Sequence, residues 1–267
     1  MAVENSIIVA NFNTKDALAK MLTALELEHA TTAEVIVVDS ASFDGSAEMV
    51  RERFPIVQLI ELKENRGWPA AANAGLNRAL AATSVLCHSA IGAPIHNLLE
   101  LADKVREGEG RRIAAVLPQL VDKQGEPLPM VGRLPGIGMG TLGVFNPGLA
   151  RKRSVPALDH VQDHEWATLA CVAFNAEMLA KAGEFDERFF QYYADADMFM
   201  RLHEKLYRIA IRRDVHVVHT GDNPNEPVGP AAARIMRKDQ EKYFAKHRPG
   251  WQQGVLKLSG KLKKDAG

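Results

Sequence analysis

The sequence predicts an α/β fold with a parallel β-sheet, and two features of the chain carry this prediction. Apolar, β-branched runs alternate with helical patterns through the first 120 residues, which is the order of βαβ units whose helices cover both faces of a sheet. Asn11 follows the first run, Asp39 closes the second, and Ala90 follows the fourth. Because ligands bind at the carboxyl ends of strands in such sheets, we expect these three residues at one ligand-binding edge.

Local patterns in the first 120 residues predict the individual elements. Strands are expected over residues 6–10, 34–39, 57–62, 84–87 and 114–117. Helices are expected behind the capping residue Thr14, from the turn at 42–46 to Phe54, and over 69–81. The last of these begins with a proline, whose missing N–H costs nothing in the first turn of a helix.

The pattern weakens beyond residue 118, and the stretch 134–148 is dense in glycine and proline. A loop of this length inside a domain is as a rule functional or mobile. The remaining elements are expected in this order: a strand over 165–174, a short helix over 178–182, an amphipathic helix over 197–206, a strand over 215–218 ending in His219, and a polar helix over 231–245.

Composition and charge exclude several classes of protein. The chain has 267 residues, with Lys plus Arg and Asp plus Glu both 33, so a net charge of zero argues against a nucleic-acid binder. Cys87 and Cys171 lie in apolar, strand-like runs, which indicates buried, reduced thiols and a cytoplasmic protein. The N-terminus is too short and too acidic for a signal peptide, and no apolar stretch approaches the roughly 20 residues of a membrane span.

The segment 185–201, FDERFFQYYADADMFMR, which we call the acidic segment, is the strongest candidate for a site. Asp195 and Asp197 stand there in an otherwise apolar run, where burying an unpaired carboxylate is costly. One interpretation is a general base with a supporting acid. The other is a helix cap followed by an acid that the helix dipole favours.

Three further polar residues have two interpretations each. Asp39 ends a buried strand and is either a strand-end acid or an acceptor for a nucleobase or ribose. Asp44 lies in the following turn and is either a helix cap or a ligand. His219 ends a strand, where a hydrogen-bonded histidine is more common than a metal ligand.

The loop and helix that contain Asn65, Gly67 and Asn73 are rich in small residues. Small residues let the backbone approach a ligand or a neighbouring strand closely. Close packing of an alanine-rich helix is the alternative explanation.

Taken in order, the segments VANFN, VVDSASFDGS, ENRGWPAAANAG, AGEFDERFFQYYADADMFMR and VHVVHTG resemble the family 2 glycosyltransferases. More narrowly, they resemble the bacterial rhamnosyltransferase-like branch, over residues 6–221. The resemblance implies a GT-A fold, with a nucleotide-binding half (1–120) and an acceptor half (121–222) on one continuous mixed sheet, followed by a helical extension (223–267). It implies transfer of a sugar from a nucleoside diphosphate sugar to a glycan or lipid-linked acceptor, with inversion.

The resemblance also implies roles for single residues. Asp195 is the catalytic base, Asp197 supports it, and His219 lies near the diphosphate and its metal ion, Mg²⁺ or Mn²⁺. The implied donor-binding residues, among which Asp39 contacts the base or ribose, are Asn11, Asp39, Asp44, Asn65, Gly67 and Asn73.

Three positions depart from the family pattern. Ala90 replaces the acid that holds the metal ion, Ala194 replaces the acid before Asp195, and Asn175 stands where the family often has a cation. The neighbours of Ala90, His88 and Ser89, suit Mg²⁺ poorly because it prefers charged oxygen ligands.

Two hypotheses therefore stay open, and a third is weaker. The first is an active enzyme with rewired metal dependence, whose diphosphate relies on groups such as His219, His88, Arg66 or Arg212. The second is a non-catalytic GT-A-like protein that binds nucleotide, glycan or a partner glycosyltransferase. A nucleotidyltransferase is the third, and the glycine-rich basic loop expected near its first strand is missing from the sequence.

The C-terminal tail is basic, with Lys257, Lys261, Lys263 and Lys264. Such a cluster is a candidate for weak peripheral contact with an anionic membrane, where lipid-linked acceptors sit. A solvated terminal charge cluster is the alternative.

Overall fold

The computed structural model describes residues 3–25, 32–136, 160–161, 165–220 and 229–254. A mixed eight-stranded sheet with the order β3-β2-β1-β4-β9-β6-β10-β5 forms the centre of this part, and β7 pairs with β8 beside it. The strands are β1 (Asn5–Asn11), β2 (Ala33–Asp39), β3 (Gln58–Glu61), β4 (Thr83–His88), β5 (Ile91–Gly92), β6 (Ile113–Val121), β7 (Val131–Arg133), β8 (Glu165–Ala167), β9 (Cys171–Asn175) and β10 (Arg208–His219).

Helices pack on this sheet because its central strands are aliphatic on both faces. Every residue of β1 and β6 is buried, as expected for strands covered from both sides. The helices are α1 (Lys15–Ala24), α2 (Ser46–Arg53), α3 (Trp68–Arg78), α4 (Ile95–Glu107), α5 (Ala176–Ala182), α6 (Ala194–Glu204) and α7 (Pro230–His247).

Strand directions bring the candidate residues to one edge of the sheet. β1 is parallel to β2 and β4, β9 runs antiparallel to β4 and β6, and β10 is parallel to β6. The strands β1, β2, β4, β6 and β10 therefore all point the same way. Their carboxyl ends place Asn11, Asp39, His88 and His219 along a single edge, as predicted for a ligand-binding α/β sheet.

The structure corrects the sequence predictions for several elements, and the strand predicted over 215–218 is the longer β10 (Arg208–His219). The strand predicted over 165–174 is two strands in different sheets. Its first part, β8, pairs with β7, and its second part, β9, pairs with β4 and β6, so the chain changes sheets between Thr168 and Ala170. The helix α4 has no counterpart among the predictions, although Leu98, Leu101 and Val105 lie buried on one face at helical spacing.

Thr14 stands at the N-cap position of α1 but does not cap it with its side chain. Its hydroxyl lies 2.6 Å from both Asn11 Oδ1 and Ser89 Oγ. The carboxylate of Asp44 accepts the N–H of Lys15 instead, at 2.8 Å. The predicted helix is therefore present, with a cap that comes from a later turn.

The small residues of α3 allow it to lie directly on β1. A Cβ on Gly75 would stand 2.3 Å from Cγ2 of Ile8, and Ala71 and Ala72 are buried beside it. Close packing of a small-residue helix thus accounts for this part of the pattern.

The C-terminal helix α7 packs against the acidic segment. Tyr243 and Phe244 are buried with Phe189, Ala194 and Ala196 in a second apolar cluster. The split at residue 222 remains a prediction, but these contacts make α7 part of the packing around the acidic segment.

Two features of the sequence fall outside the described residues. They are most of the glycine-rich stretch, 137–148, and the basic tail with Lys257, Lys261, Lys263 and Lys264. Among the helices that are described, none is long and apolar enough to cross a membrane.

Candidate functional site

Asn11 and Asp39 form the centre of the strand-end edge. They are register partners on β1 and β2, both 2% exposed, and Asn11 Nδ2 donates to Asp39 Oδ1 at 2.7 Å. The other oxygen of Asp39 accepts the N–H of Ser42 at 2.9 Å. These bonds satisfy the buried carboxylate, as burial requires, and fix its orientation at the edge.

Hydroxyl groups tie this pair to the next strand. The Thr14 hydroxyl joins Asn11 Oδ1 to Ser89 Oγ, and the backbone N–H of Ser89 donates to Ala10 O at 3.1 Å. The carboxyl ends of β1, β2 and β4 are therefore one connected polar network.

Asp44 belongs to the frame of this edge. Its carboxylate accepts the N–H of Lys15 at 2.8 Å, the N–H of Ser46 at 3.0 Å and the hydroxyl of Ser46 at 2.6 Å. Partial burial opposes ionisation, but these hydrogen bonds outweigh it and lower the pKa of Asp44 below its usual value. Both oxygens are engaged in holding α1 to α2, which matches the capping interpretation.

An exposed aromatic pair, which the sequence analysis did not single out, flanks the edge. Phe12 and Phe43 are 41% and 86% exposed, and their rings meet edge to face with centroids 6.3 Å apart. Large aromatic side chains left in water next to a polar strand-end site are typical of a binding surface. Their position directly after Asn11 and in the turn before Asp44 is the signal that could have revealed them.

Asn73 and Gly67 hold the acidic segment against the first half of the sheet. The Asn73 side chain donates to Phe185 O and accepts the N–H of Phe185, both at 2.9 Å. Gly67 has φ +95°, and a Cβ there would lie 2.1 Å from Phe190 O, which accepts the N–H of Trp68 at 2.8 Å. Their observed contacts are therefore with the acidic segment.

Asn65 supports the same turn. Its side-chain oxygen accepts the N–H of Gly67 at 2.9 Å. Trp68, which follows Gly67, lies between His88 and Phe185, with ring centroids 5.3 Å away in a tilted contact and 4.9 Å away in an edge-to-face contact. The end of β4 and the acidic segment are thus neighbours through one indole ring.

Asp195 lies in the first turn of α6, immediately beyond this anchored segment. Tyr193 enters the helix with φ +64°, a left-handed conformation that non-glycine residues rarely adopt. Asp195 is partly buried, and its Oδ1 accepts the N–H of Ala196 at 2.9 Å. Burial raises the pKa of the nearby Tyr193 to about 12, so this phenol is neutral at pH 7.

Ala194, where the resemblance predicts an acid, has apolar surroundings. It is 1% exposed and packs in the apolar cluster with Phe189, Tyr243 and Phe244. A carboxylate in that cluster would need a partner to offset its desolvation. Asn175, the other departure beside Ala90, caps α5 by accepting the N–H of Met178 at 2.9 Å.

Asp197 differs sharply from Asp195 in its surroundings. It is fully buried and lies 2.6 Å from Lys246 Nζ, 2.6 Å from His247 Nε2 and 3.0 Å from Arg201 Nε. Burial opposes its charge, but these donors outweigh burial and lower the pKa of Asp197. Asp197 is therefore an ionised, hydrogen-bonded carboxylate placed to support the segment around Asp195.

Asp239 is a buried acid that the sequence analysis missed. It lies on α7, is fully buried, and accepts the backbone N–H groups of Phe190, Gln191 and Tyr192 at 3.0–3.1 Å. A single acid on the helix face that also carries Tyr243 was the available signal. Its partners, however, lie in a segment far away in the chain.

The described residues do not fit a protein-held divalent cation. Ala90 offers only its carbonyl, which accepts both the N–H and the hydroxyl of Thr220 at 2.8 and 2.9 Å. His219 pairs with Ile91 beside it, so the structure does bring His219 to the Ala90 position. Within the described ranges, no three His, Cys, Asp or Glu side chains are grouped as metal ligands would be.

Of the two arginines considered as ligands of the diphosphate, Arg212 is already paired with two acidic side chains. Its guanidinium, on β10, pairs with Asp214 of the same strand and with Glu100 of α4, and these acids raise the pKa of Arg212. Arg66 pairs with Glu187 at 2.6 Å and stays more than half exposed. Arg212 is therefore unsuited to the predicted role.

Comparison with known proteins shows which proteins this chain and its fold are similar to. Residues 6–88 match the sequence model of the family described as Glycosyl transferase family 2. The fold is similar to that of glucosyl-3-phosphoglycerate synthase from Mycobacterium tuberculosis, solved with Mn²⁺, UDP and glucosyl-3-phosphoglycerate (TM-score 0.60, 13% identity, covering 91% of this chain and 79% of that one). It is also similar to the mannosyltransferase PcManGT from Pyrobaculum calidifontis, solved with GDP-Man and Mn²⁺ (TM-score 0.56, 18% identity, 99% and 76%). These similarities confirm the GT-A fold.

A relative that matches over most of both chains indicates which members of the family this chain resembles. The N-acetylglucosaminyl-diphospho-decaprenol L-rhamnosyltransferase of M. tuberculosis is 23% identical, over 96% of this chain and 89% of its own length. The succinoglycan biosynthesis protein ExoO of Rhizobium meliloti is 36% identical over 27% of this chain. The chain therefore resembles the family 2 glycosyltransferases, and rhamnosyltransferases among them, as its motifs predict.

Proposed function

We propose that this protein is an inverting glycosyltransferase of the hexosyltransferase type. It moves a sugar from a nucleoside diphosphate sugar to a hydroxyl group of a lipid-linked or glycan acceptor in the synthesis of a cell-surface polysaccharide. The observation that carries the proposal is Asp195, a partly buried carboxylate in the first turn of α6. The hydrogen bonds of Trp68 and Asn73 hold the segment before it against the strand-end edge.

The donor nucleotide lies at that edge. The Asn11–Asp39 pair supplies fixed acceptor and amide groups for the ribose or base, and Phe12 with Phe43 supplies an aromatic surface for stacking. The contribution of Asn65, Gly67 and Asn73 is indirect, because they hold the acidic segment next to the donor site. Asp44 contributes by capping the helices that frame it.

Inversion needs a single base on the face of the sugar opposite the leaving group. Asp195 accepts the proton of the acceptor hydroxyl while that oxygen bonds to the anomeric carbon, and the bond from this carbon to the diphosphate breaks. Negative charge near the reaction centre also stabilises the positive charge that develops on the sugar ring. Asp197, which is held by Arg201, Lys246 and His247, keeps the segment in place and does not itself take the proton.

The leaving diphosphate is bound by side chains at the carboxyl ends of β4 and β10. His88 and His219 lie at these strand ends, and Arg66 lies in the loop before α3. Because Ala90 provides no carboxylate, we propose that donor binding depends only weakly on Mg²⁺ or Mn²⁺.

A non-catalytic GT-A-like protein is the second candidate, and the Ala90 position favours it. With no side-chain ligand there and its carbonyl already engaged by Thr220, the site could retain nucleotide, glycan or partner binding without turnover. Asp195 on an anchored helix turn favours the enzyme.

Titration with a panel of UDP-, GDP- and dTDP-sugars, each with and without Mn²⁺, tests the proposal. We expect at least one donor to bind with an affinity that changes less than tenfold on adding Mn²⁺, and the bound donor to hydrolyse slowly without an acceptor. Binding without any hydrolysis or transfer would favour the non-catalytic candidate. Failure of every donor to bind would contradict both the donor site and the enzyme.

The acceptor and the cellular location are part of the same proposal. The mycobacterial relative is named for a diphospho-decaprenol acceptor, and we propose a lipid-linked acceptor of that kind here. The protein would then act from the cytoplasm at the inner membrane face, with its basic tail towards the lipid headgroups.

A further inference from the structure

One face of α7 contacts the acidic segment on both sides of Asp195. We define this anchoring face by Asp239, Tyr243, Lys246 and His247, which share one side of the helix at spacings of four and three residues. Asp239 and Tyr243 are fully buried, and the side chain of His247 is 7% exposed. The anchoring face is therefore turned inward.

The first anchor precedes Asp195 in the chain. Three consecutive N–H groups, those of residues 190–192, converge on the carboxylate of Asp239. Lys242 Nζ, 2.9 Å away, balances the buried charge. Charge-assisted bonds of this kind are about twice as strong as neutral ones, so Asp239 holds a segment that has no helix or strand of its own.

The second anchor follows Asp195. Asp197 lies two residues after Asp195 in the first turn of α6, and it is bound by Lys246 and His247. Lys246 also reaches Asp186, at 2.8 Å, near the start of the acidic segment. The base is thus the centre of a short stretch whose two ends are both fixed to α7.

We propose that Asp239 is a positioning residue, which sets the location of the Asp195 carboxylate relative to the donor by fixing residues 190–192. This inference rests on the proposed function. The donor edge is built from β1, β2 and β4, whereas the contacts of Asp239 described above are with the acidic segment and with Lys242 of its own helix. Loosening it therefore displaces the base while leaving nucleotide binding intact.

The variant Asp239→Asn tests this, because it keeps the side-chain shape and removes the charge. Glu241→Gln is the matched control, since Glu241 is exposed on the same helix and pairs only loosely with Arg237, at 3.6 Å. We expect Asp239→Asn to lower kcat about a hundredfold, as small misplacements of reacting groups do. The affinity for the donor found in the panel should change less than twofold, and the control should match the wild type in both.

Amide hydrogen exchange provides a measurement that does not depend on turnover. We expect exchange at residues 190–192 to speed up in Asp239→Asn and not in Glu241→Gln, with the β1 and β2 amides unchanged in both. Unchanged exchange at 190–192, or an equal loss of donor affinity and kcat, would overturn the positioning role.

Two further arms keep the two proposals separable. If the wild type turns over no donor, the proposed function fails, while the exchange data still decide whether Asp239 holds the segment. If Asp239→Asn does not fold, Lys246→Met loosens the second anchor from the same face. It should then reproduce the loss of kcat without loss of donor affinity, and normal kcat in Lys246→Met would contradict the inference.

Discussion

At the scale of single residues, Asp195 and Asp197 show how two neighbouring carboxylates acquire different uses. Asp195 is partly buried in the first turn of α6, while Asp197 is fully buried among Arg201, Lys246 and His247. A buried carboxylate surrounded by donors is held ionised and immobile. These different surroundings fit the roles proposed above, in which Asp195 takes the proton and Asp197 supports the segment around it.

The stabilisation from Asp197 depends on pH. Its folded-state pKa is lowered, so its contribution is present above the unfolded-state pKa, about 3.9, and is lost as pH falls through the folded-state value. We expect Asp197→Asn to lower the free energy of unfolding by about 3 kcal/mol at pH 7, because it removes the buried charge with which Arg201 and Lys246 pair. Urea unfolding should show this difference shrinking below about pH 4. A difference that grows on acidification would contradict the assignment.

At the scale of elements, the turn from residue 65 to the start of α3 couples the two halves of the fold. Gly67 combines a positive φ with close approach to Phe190 O, and Trp68 donates to that same oxygen. The turn thus fixes the acidic segment against the end of β4, which is what a base acting on a bound donor requires.

Gly67→Ala tests this coupling. A Cβ 2.1 Å from a backbone oxygen forces the turn and the acidic segment apart, so we expect a loss of about 2–4 kcal/mol of unfolding free energy. Gly110→Ala is the control, since a Cβ there has no described atom within 4 Å. Equal urea midpoints for Gly67→Ala and Gly110→Ala would show that the turn does not hold the segment.

Much of the first half could be predicted from sequence because its information is local. Alternating apolar runs define β1 to β4, and parallel strands bring Asn11 and Asp39 together without further knowledge. The broken strand at 165–174 could not be foreseen, because the run is apolar apart from Glu165 and Thr168 and its two halves differ only in the strands with which they pair. Asp239 was missed for a related reason, since its role lies in bonds to residues 190–192, remote in the chain.

At the scale of the whole molecule, α7 closes the structure around the acidic segment. Tyr243 and Phe244 are buried against Phe189 and Ala194, and Arg248 Nε donates to Pro135 O at 2.8 Å. An element that contributes both apolar core and buried charge pairs is expected to unfold together with what it covers.

Phe244→Ala tests this integration. Truncating a buried phenylalanine costs about 3–5 kcal/mol, and because α7 is integral, the helix and the tryptophan environment should unfold in one transition at a lower urea concentration. Arg234→Ala, at an exposed position of the same helix, should behave like the wild type. Separate transitions by circular dichroism and fluorescence would show instead that the C-terminal helix is an independent unit.

The central claim is that Asp195 is the base of a sugar transfer, and one measurement tests it most directly. Single-turnover transfer from the best-binding donor should be compared for the wild type, Asp195→Asn and Glu204→Gln, an exposed control at the far end of α6. We predict a fall of about a thousandfold or more for Asp195→Asn, within the range expected for removing a general base, with donor affinity unchanged and the control at the wild-type rate. Transfer by Asp195→Asn at a rate close to that of the wild type would contradict the claim.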